Sequence, residues 1–279
     1  MNIVTVTCKM DMKLMIAQAE SISLFVKSPC THWVIINDPE VDLNLWESVL
    51  RKYYKEHTLI FKSYDRSTWP ALNPQADGYY FQQIFKLLIS KDIQDDYLLL
   101  DSKNIFIQPI NLEDFKDQHA SGLLINLQNS QFENLIPTLY FYAKKLKLDN
   151  ESFNDSTESY TQFNILLPFI IRNSVMQKVD NLDEILQWFS QHPQIMNEFL
   201  LYSLLCKKYN FSLENFDNLL RATYFWRTED FFATDDITSN HMIGFHRNWI
   251  KRTSKKNIKR VNKFLNFIGL TNILSKDNK

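Results

Sequence analysis

The chain has 279 residues, 45% of them hydrophobic, which suffices for one large α/β core or two small ones. Its four glycines, Gly78, Gly122, Gly244 and Gly269, are too scattered for a glycine-rich phosphate loop, and its three distant cysteines, Cys8, Cys30 and Cys206, form no disulfide framework or metal-spacing motif. A net charge of −1 hides an uneven split, with +9 on Arg247–Lys279 and −10 on Met1–His246.

Ile3–Thr7 reads as a first strand. Asp11 is placed to cap a helix whose stripe is Leu14, Met15, Ala19, Ile22 and Phe25. A second strand, Trp33–Ile36, ends in Asn37-Asp38-Pro39. Leu45–Tyr54 reads as a helix and Thr58–Phe61 as a third strand. Such a βαβαβ order predicts a parallel half-sheet with right-handed crossovers. The loop Tyr64–Ala76 holds two prolines and Trp69, which serves either as a stacking surface or as a buried anchor.

Asp77–Pro109 is the densest stretch. Phe81, Ile84, Phe85, Leu88 and Ile89 recur at helical spacing, interrupted by Gln82, Gln83 and Lys86. Tyr97–Leu100 is a continuous apolar run, as for a strand covered on both faces, and it stops at Asp101-Ser102-Lys103-Asn104. Ile105–Ile107 follows and Pro109 closes it. In open α/β sheets ligands bind beyond the carboxyl ends of the strands, so a carboxylate there is placed to meet one. An Asp in a turn that bonds its own backbone is the structural alternative.

Gly78-Tyr79-Tyr80, Gln82-Gln83, Lys86-Leu87 and Leu100-Asp101-Ser102-Lys103-Asn104 together resemble the core of a little-characterised bacterial and viral group of glycosyltransferase-like proteins. More broadly the pattern resembles nucleotide-sugar-dependent enzymes of the GT-A fold. The resemblance implies that Thr5, Thr7, Asn37 and Asp38 meet the donor nucleoside, that Gln83, Lys86 and Asn104 meet its sugar and phosphates, and that Asp101, a catalytic candidate, orients a cation or the donor ribose; Lys103, as a point cation, is placed to offset diphosphate charge. It also implies a divalent cation, manganese or magnesium, held by Asp101 and by His246, with His241 as the alternative. Lys103 stands where the family pattern has its second Asp. An ammonium beside the site opposes a cation, so metal dependence is expected to be weak or absent.

Beyond Pro109, Glu113–Asp117 reads as a solvated helix, Leu123–Leu127 as a strand and Leu135–Leu146 as a helix containing Pro137. Asp149–Tyr160 is an acidic loop within the domain. Phe163–Leu167 reads as a strand leading into a helix over Phe169–Val179, and Leu182–Tyr209 as largely helical. By the same resemblance Glu198, opening a helix, is the catalytic carboxylate on the acceptor side; a helix-dipole role is the structural alternative. His241–His246 reads as a short strand. Arg247–Lys263 holds eight basic residues and no acid, with Ile258, Val261, Phe264, Leu265 and Ile268 as an apolar stripe. Basic and amphipathic together suit an anionic membrane surface; the other readings are approach to the donor diphosphate, nucleic-acid binding, and a solvated helix docked by its apolar side.

The expected architecture is therefore α/β and GT-A-like, a single domain over 1–246 with a mostly parallel sheet flanked by helices, then a basic amphipathic tail over 247–279. The expected activity is sugar transfer from a nucleotide-diphospho-sugar donor to a hydroxyl of a glycan or lipid-linked acceptor. A cytoplasmic setting is expected, peripheral to the membrane, with nucleic acid an unlikely partner. The rival readings are a non-catalytic nucleotide-sugar- or glycan-binding protein and a nucleotidyltransferase.

Overall fold

The computed structural model describes residues 1–38, 40–116, 120–126, 133–148, 162–215, 220–225, 240–245, 250 and 252–271. Its strands are β1 (Asn2–Thr7), β2 (Thr31–Ile36), β3 (Thr58–Lys62), β4 (Tyr97–Asp101), β5 (Asn104–Phe106), β6 (Ala120–Asn126), β7 (Gln162–Ile171), β8 (Glu214–Asn215), β9 (Ala222–Phe225) and β10 (Met242–Phe245). The α-helices are α1 (Met12–Phe25), α2 (Leu43–Leu50), α3 (Gly78–Leu88), α4 (Ile136–Lys145), α5 (Asn173–Met176), α6 (Leu182–Ser190), α7 (Glu198–Lys208) and α8 (Lys255–Phe267). The chain divides into two compact units. Met1–Ser63, Leu100–Lys116 and Asp217–Lys279 make the first, and Tyr64–Leu99 with Asp117–Phe216 the second.

In the first unit β1, β2 and β3 lie side by side and parallel, Ile3 opposite His32 and Thr31 opposite Thr58. This is the half-sheet expected from the βαβαβ order. Ile3, Val4 and Val6 on β1 are buried on both faces, as β-branched residues in a covered strand should be. Helix α1 buries Leu14, Met15, Ala17, Ala19 and Ile22. Asp11 occupies its N-cap position but makes no capping bond there; its carboxylate instead accepts from the Ser102 hydroxyl at 2.8 Å. A three-stranded sheet, β5-β10-β9, completes the unit, β10 being antiparallel to β5 and parallel to β9.

The basic C-terminal stretch contributes to this unit's core. Ile258, Val261 and Leu265 of α8 pack in one apolar cluster with Leu14, Ala17, Ile105 and Ile243. The helix starts at Ser254, whose hydroxyl accepts from the Asn257 amide at 3.1 Å. It ends at Gly269, whose φ of +94° favours glycine, and the Leu270 amide returns to the Leu265 carbonyl at 2.8 Å. Lys255, Lys256, Lys259 and Lys263 are exposed. The expected boundary between Met1–His246 and the tail falls at residues 246–249, outside the described residues.

In the second unit β4 pairs antiparallel with β7, β7 antiparallel with β6, and β6 parallel with β8. Trp69 is the buried anchor, edge-on to Phe81 and Phe85 with centroids 6.4 and 5.7 Å away. The helix expected over Phe169–Val179 is corrected. β7 continues to Ile171, because Phe169, Ile170 and Ile171 pair with Leu99, Leu98 and Tyr97, and α5 is only four residues long. Leu112–Phe115, in the first unit, forms a single 3₁₀ turn in place of the solvated helix expected at Glu113–Asp117. The acidic loop Asp149–Tyr160 lies outside the described residues. No described helix is long and apolar enough to cross a membrane.

Candidate functional site

The turn that closes β4 is held from three sides within the first unit. The Asp101 amide donates to Asn104 Oδ1 at 2.6 Å. Gln18 Nε2 donates to the carbonyls of Asp101 and Asn104 at 2.7 and 2.9 Å. Ser102, 2% exposed, donates to Asp11, four residues past the end of β1. What this leaves at the surface is the Asp101 carboxylate and the Lys103 ammonium, 3.9 Å apart and both about a quarter to a third exposed (30% and 25%). Asn104 is fully buried and acts as a strut of the turn.

The ends of β1 and β2 lie on the same edge, since the Asn37 amide donates to the Thr7 carbonyl at 2.7 Å and Ser102 reaches Asp11. Thr7 is fully buried and its hydroxyl has no partner among the described residues. Such an orphan is rare enough to mark a place where a ligand or water completes the bonding. Asn37 is buried and Asp38 half-buried, its carboxylate accepting from the Glu40 amide. Thr5 has no surface to offer: it is fully buried and its hydroxyl is committed to Gln18 and His32.

The second unit gathers three other expected residues. Lys86 Nζ donates to Glu198 Oε1 at 2.8 Å, with side chains 6% and 4% exposed. The Glu198 amide donates to Gln83 Oε1 at 3.2 Å, while Gln83 Nε2 is buried with no partner among the described residues. Lys86 Nζ also sits 5.5 Å from the Phe199 ring centroid, and the Tyr97 hydroxyl donates to the Lys86 carbonyl at 2.9 Å. Asn197 caps α7, its Oδ1 accepting from the Leu200 amide. Burial raises the Tyr142 phenol above its ordinary range despite the bond it accepts from the Asn197 amide, with Glu198 adding to the rise.

His241 Nδ1 accepts from the Arg221 amide at 3.2 Å, and burial lowers its imidazole from the ordinary value. His246 lies outside the described residues. Among the described residues the β4 turn offers a divalent cation one carboxylate, that of Asp101. Asp101 faces an ammonium, the Asp11 carboxylate is engaged by Ser102, and no described group of three or more His, Cys, Asp or Glu can hold a metal ion. Sequence reasoning missed Gln18 and His32. Their signal was a polar side chain inside an apolar helix stripe and another opening a buried strand.

A protein-family model described as "Family of unknown function (DUF6492)" matches residues 14–218. This chain is a member of the DUF6492 family. No curated protein matches it. Among solved structures the DUF6492 chain is similar to galactosyltransferase LgtC, in complex with donor and acceptor sugar analogues. That match has 13% identity, covers 97% of this chain and 96% of LgtC, and has a TM-score of 0.56. Glycosyltransferase GlyE of Streptococcus pneumoniae TIGR4 matches at 12% identity over 97% of this chain and 60% of its own, with a TM-score of 0.51. Mouse xyloside xylosyltransferase 1 matches at 8% identity over 88% and 98%, with a TM-score of 0.48. Identities this low establish the fold. It is α/β and GT-A-like, with a mostly parallel sheet flanked by helices.

Proposed function

We propose that this DUF6492 protein is a glycosyltransferase of the hexosyltransferase type. It moves a sugar from a nucleotide-diphospho-sugar to a hydroxyl of a glycan or lipid-linked acceptor. The observation that carries this reading is the group at the strand ends of the first unit: the orphaned Thr7 hydroxyl, Asn37, Asp38, and Asp101 beside Lys103. The likeness to LgtC supports it as an analogy of fold.

In this reading Thr7, Asn37 and Asp38 meet the nucleoside, whose hydroxyls and base edge match a hydroxyl, an amide and a carboxylate. Asp101 takes a ribose or sugar hydroxyl. Lys103 offsets diphosphate charge, which develops as the bond from the anomeric carbon to the phosphate oxygen breaks. Thr5 and Asn104 hold this group from beneath. The oxygen of the acceptor hydroxyl forms the new bond to the anomeric carbon and gives up its proton to a general base; Glu198, held by Lys86 and Gln83 within the second unit, is the carboxylate proposed for that acceptor-side role. No step is routed through manganese or magnesium, and the need for either is weak or absent. Activity that vanishes with a chelator and returns with manganese would overturn that point.

The buried Lys86–Glu198 pair favours one rival, a non-catalytic nucleotide-sugar-binding protein, because a sealed ion pair serves structure as readily as chemistry. A thermal-shift panel of nucleotide-sugars, with and without manganese, tests binding, since a ligand of the native state raises its melting point. Release of nucleoside diphosphate then separates enzyme from binder.

A further inference from the structure

Gln18, His32, Thr5 and Tyr54 form a buried chain of hydrogen bonds that ends on the β4 turn, and every proton in it can be placed. Gln18 is fully buried and spends both N–H groups on the carbonyls of Asp101 and Asn104. Its Oε1 can therefore only accept, and its partner is the Thr5 hydroxyl at 2.8 Å. Thr5 has one proton and gives it to Gln18. The 3.0 Å contact from Thr5 Oγ1 to His32 Nε2 then requires an N–H on His32.

His32 is fully buried. Burial pushes its imidazole down to about 3, with the charge of His57 adding to the effect, so it is neutral and carries one ring proton. With that proton on Nε2, Nδ1 is bare and accepts from the Tyr54 hydroxyl at 2.5 Å. Burial raises the Tyr54 phenol well above its ordinary value, which keeps it a donor. Each assignment from the turn to His32 Nε2 is forced by the one before, and the neutral ring then makes Tyr54 the donor.

We infer that Gln18 and His32 are positioning residues, two links of a one-directional chain that fixes the Asp101–Asn104 turn and so the separation of Asp101 from Lys103. Gln18 acts directly on the turn. His32 acts through Thr5, by supplying the N–H that leaves the Thr5 proton for Gln18. Breaking one link leaves a buried donor or acceptor unmatched and frees the turn at the other end. The functional part of this inference rests on the glycosyl-transfer reading; the chain itself does not.

The test uses the full-length protein labelled with ¹⁵N. Long-range ¹H–¹⁵N correlation reads the His32 tautomer, hydrogen exchange reads the Asp101 backbone amide, and titration with UDP-galactose, UDP-glucose and GDP-mannose reads donor affinity. The expected wild-type result is a proton on His32 Nε2 that does not titrate between pH 5 and 8. Gln18→Met and Thr5→Val should each speed exchange at the Asp101 amide about tenfold, and weaken the nucleotide-sugar that binds by about the same factor. Thr5→Ser should restore both, which a loss of packing alone would not explain. A proton on Nδ1, a titrating His32, or unchanged exchange in both variants that break the chain would overturn the inference. If none of the three nucleotide-sugars binds the wild type, the donor reading fails, and tautomer and exchange still decide the chain.

Discussion

Glu198→Ala isolates the most consequential ion pair in the second unit. The side chain of its partner Lys86 is 6% exposed, so an ammonium left without the carboxylate at 2.8 Å cannot recover its solvation by a small movement. A further neighbour, the Phe199 ring at 5.5 Å, offsets only part of that loss. Breaking a buried pair from one side costs about 3–5 kcal/mol. Lys86→Met should cost a similar amount, because it leaves Glu198 buried without its cation. The double variant Lys86→Met/Glu198→Leu removes both charges and should return to within ~2 kcal/mol of wild type, an interaction energy of roughly 4 kcal/mol or more. Urea denaturation followed by tryptophan fluorescence measures all four proteins. Single substitutions that each cost under about 1 kcal/mol, as exposed pairs do, would refute the reasoning.

The buried His32 gives a pH dependence of defined sign. Folded, it binds no proton until about pH 3, while the unfolded chain binds one near 6.5. Between those values the unfolded state holds the extra proton, so stability falls as pH drops, by up to about 1.4 kcal/mol per unit. His32→Asn should flatten the urea-derived stability between pH 5 and 6.5, and an unchanged slope would contradict the buried neutral ring. In α8, Leu265→Ala should cost about 2–5 kcal/mol and Lys256→Ala under about 0.5 kcal/mol. Similar small losses from both would show that the helix is not docked. With its apolar side in the core, α8 can meet an anionic membrane only through its basic face. Lys255→Glu, Lys256→Glu and Lys259→Glu together should therefore weaken binding to phosphatidylserine vesicles, and salt should do the same. Vesicle binding that ignores both would remove the membrane proposal.

The opening half-sheet was legible because strands and helices alternate with clear breaks, and the Tyr97–Leu100 run ending at Asp101 marked β4 and its turn. The course of Phe169–Ile171 was not legible. An apolar triplet after a proline has no period that separates strand from helix, and only its pairing with Tyr97–Leu99 decides. The strand-end residues could be listed from sequence, but their standing could not. Thr5 and Thr7 look alike in the sequence, yet one hydroxyl is committed and the other is orphaned. Lys86 and Glu198 are 112 residues apart, so nothing local announces their pairing. The direction of the Lys103 side chain was equally open. At 3.9 Å from Asp101 it stands on the carboxylate's side of the turn.

Nucleoside diphosphate released from a nucleotide-sugar in the presence of sugar acceptors is the most direct measure of the central claim. Purified wild-type protein should release it with at least one donor of the UDP and GDP series, with sugar appearing on the acceptor, and Asp101→Ala should lower the rate about a hundredfold while its melting point stays near wild type. No release with any donor, or equal rates from wild type and Asp101→Ala, would contradict the assignment of glycosyl transfer to this site.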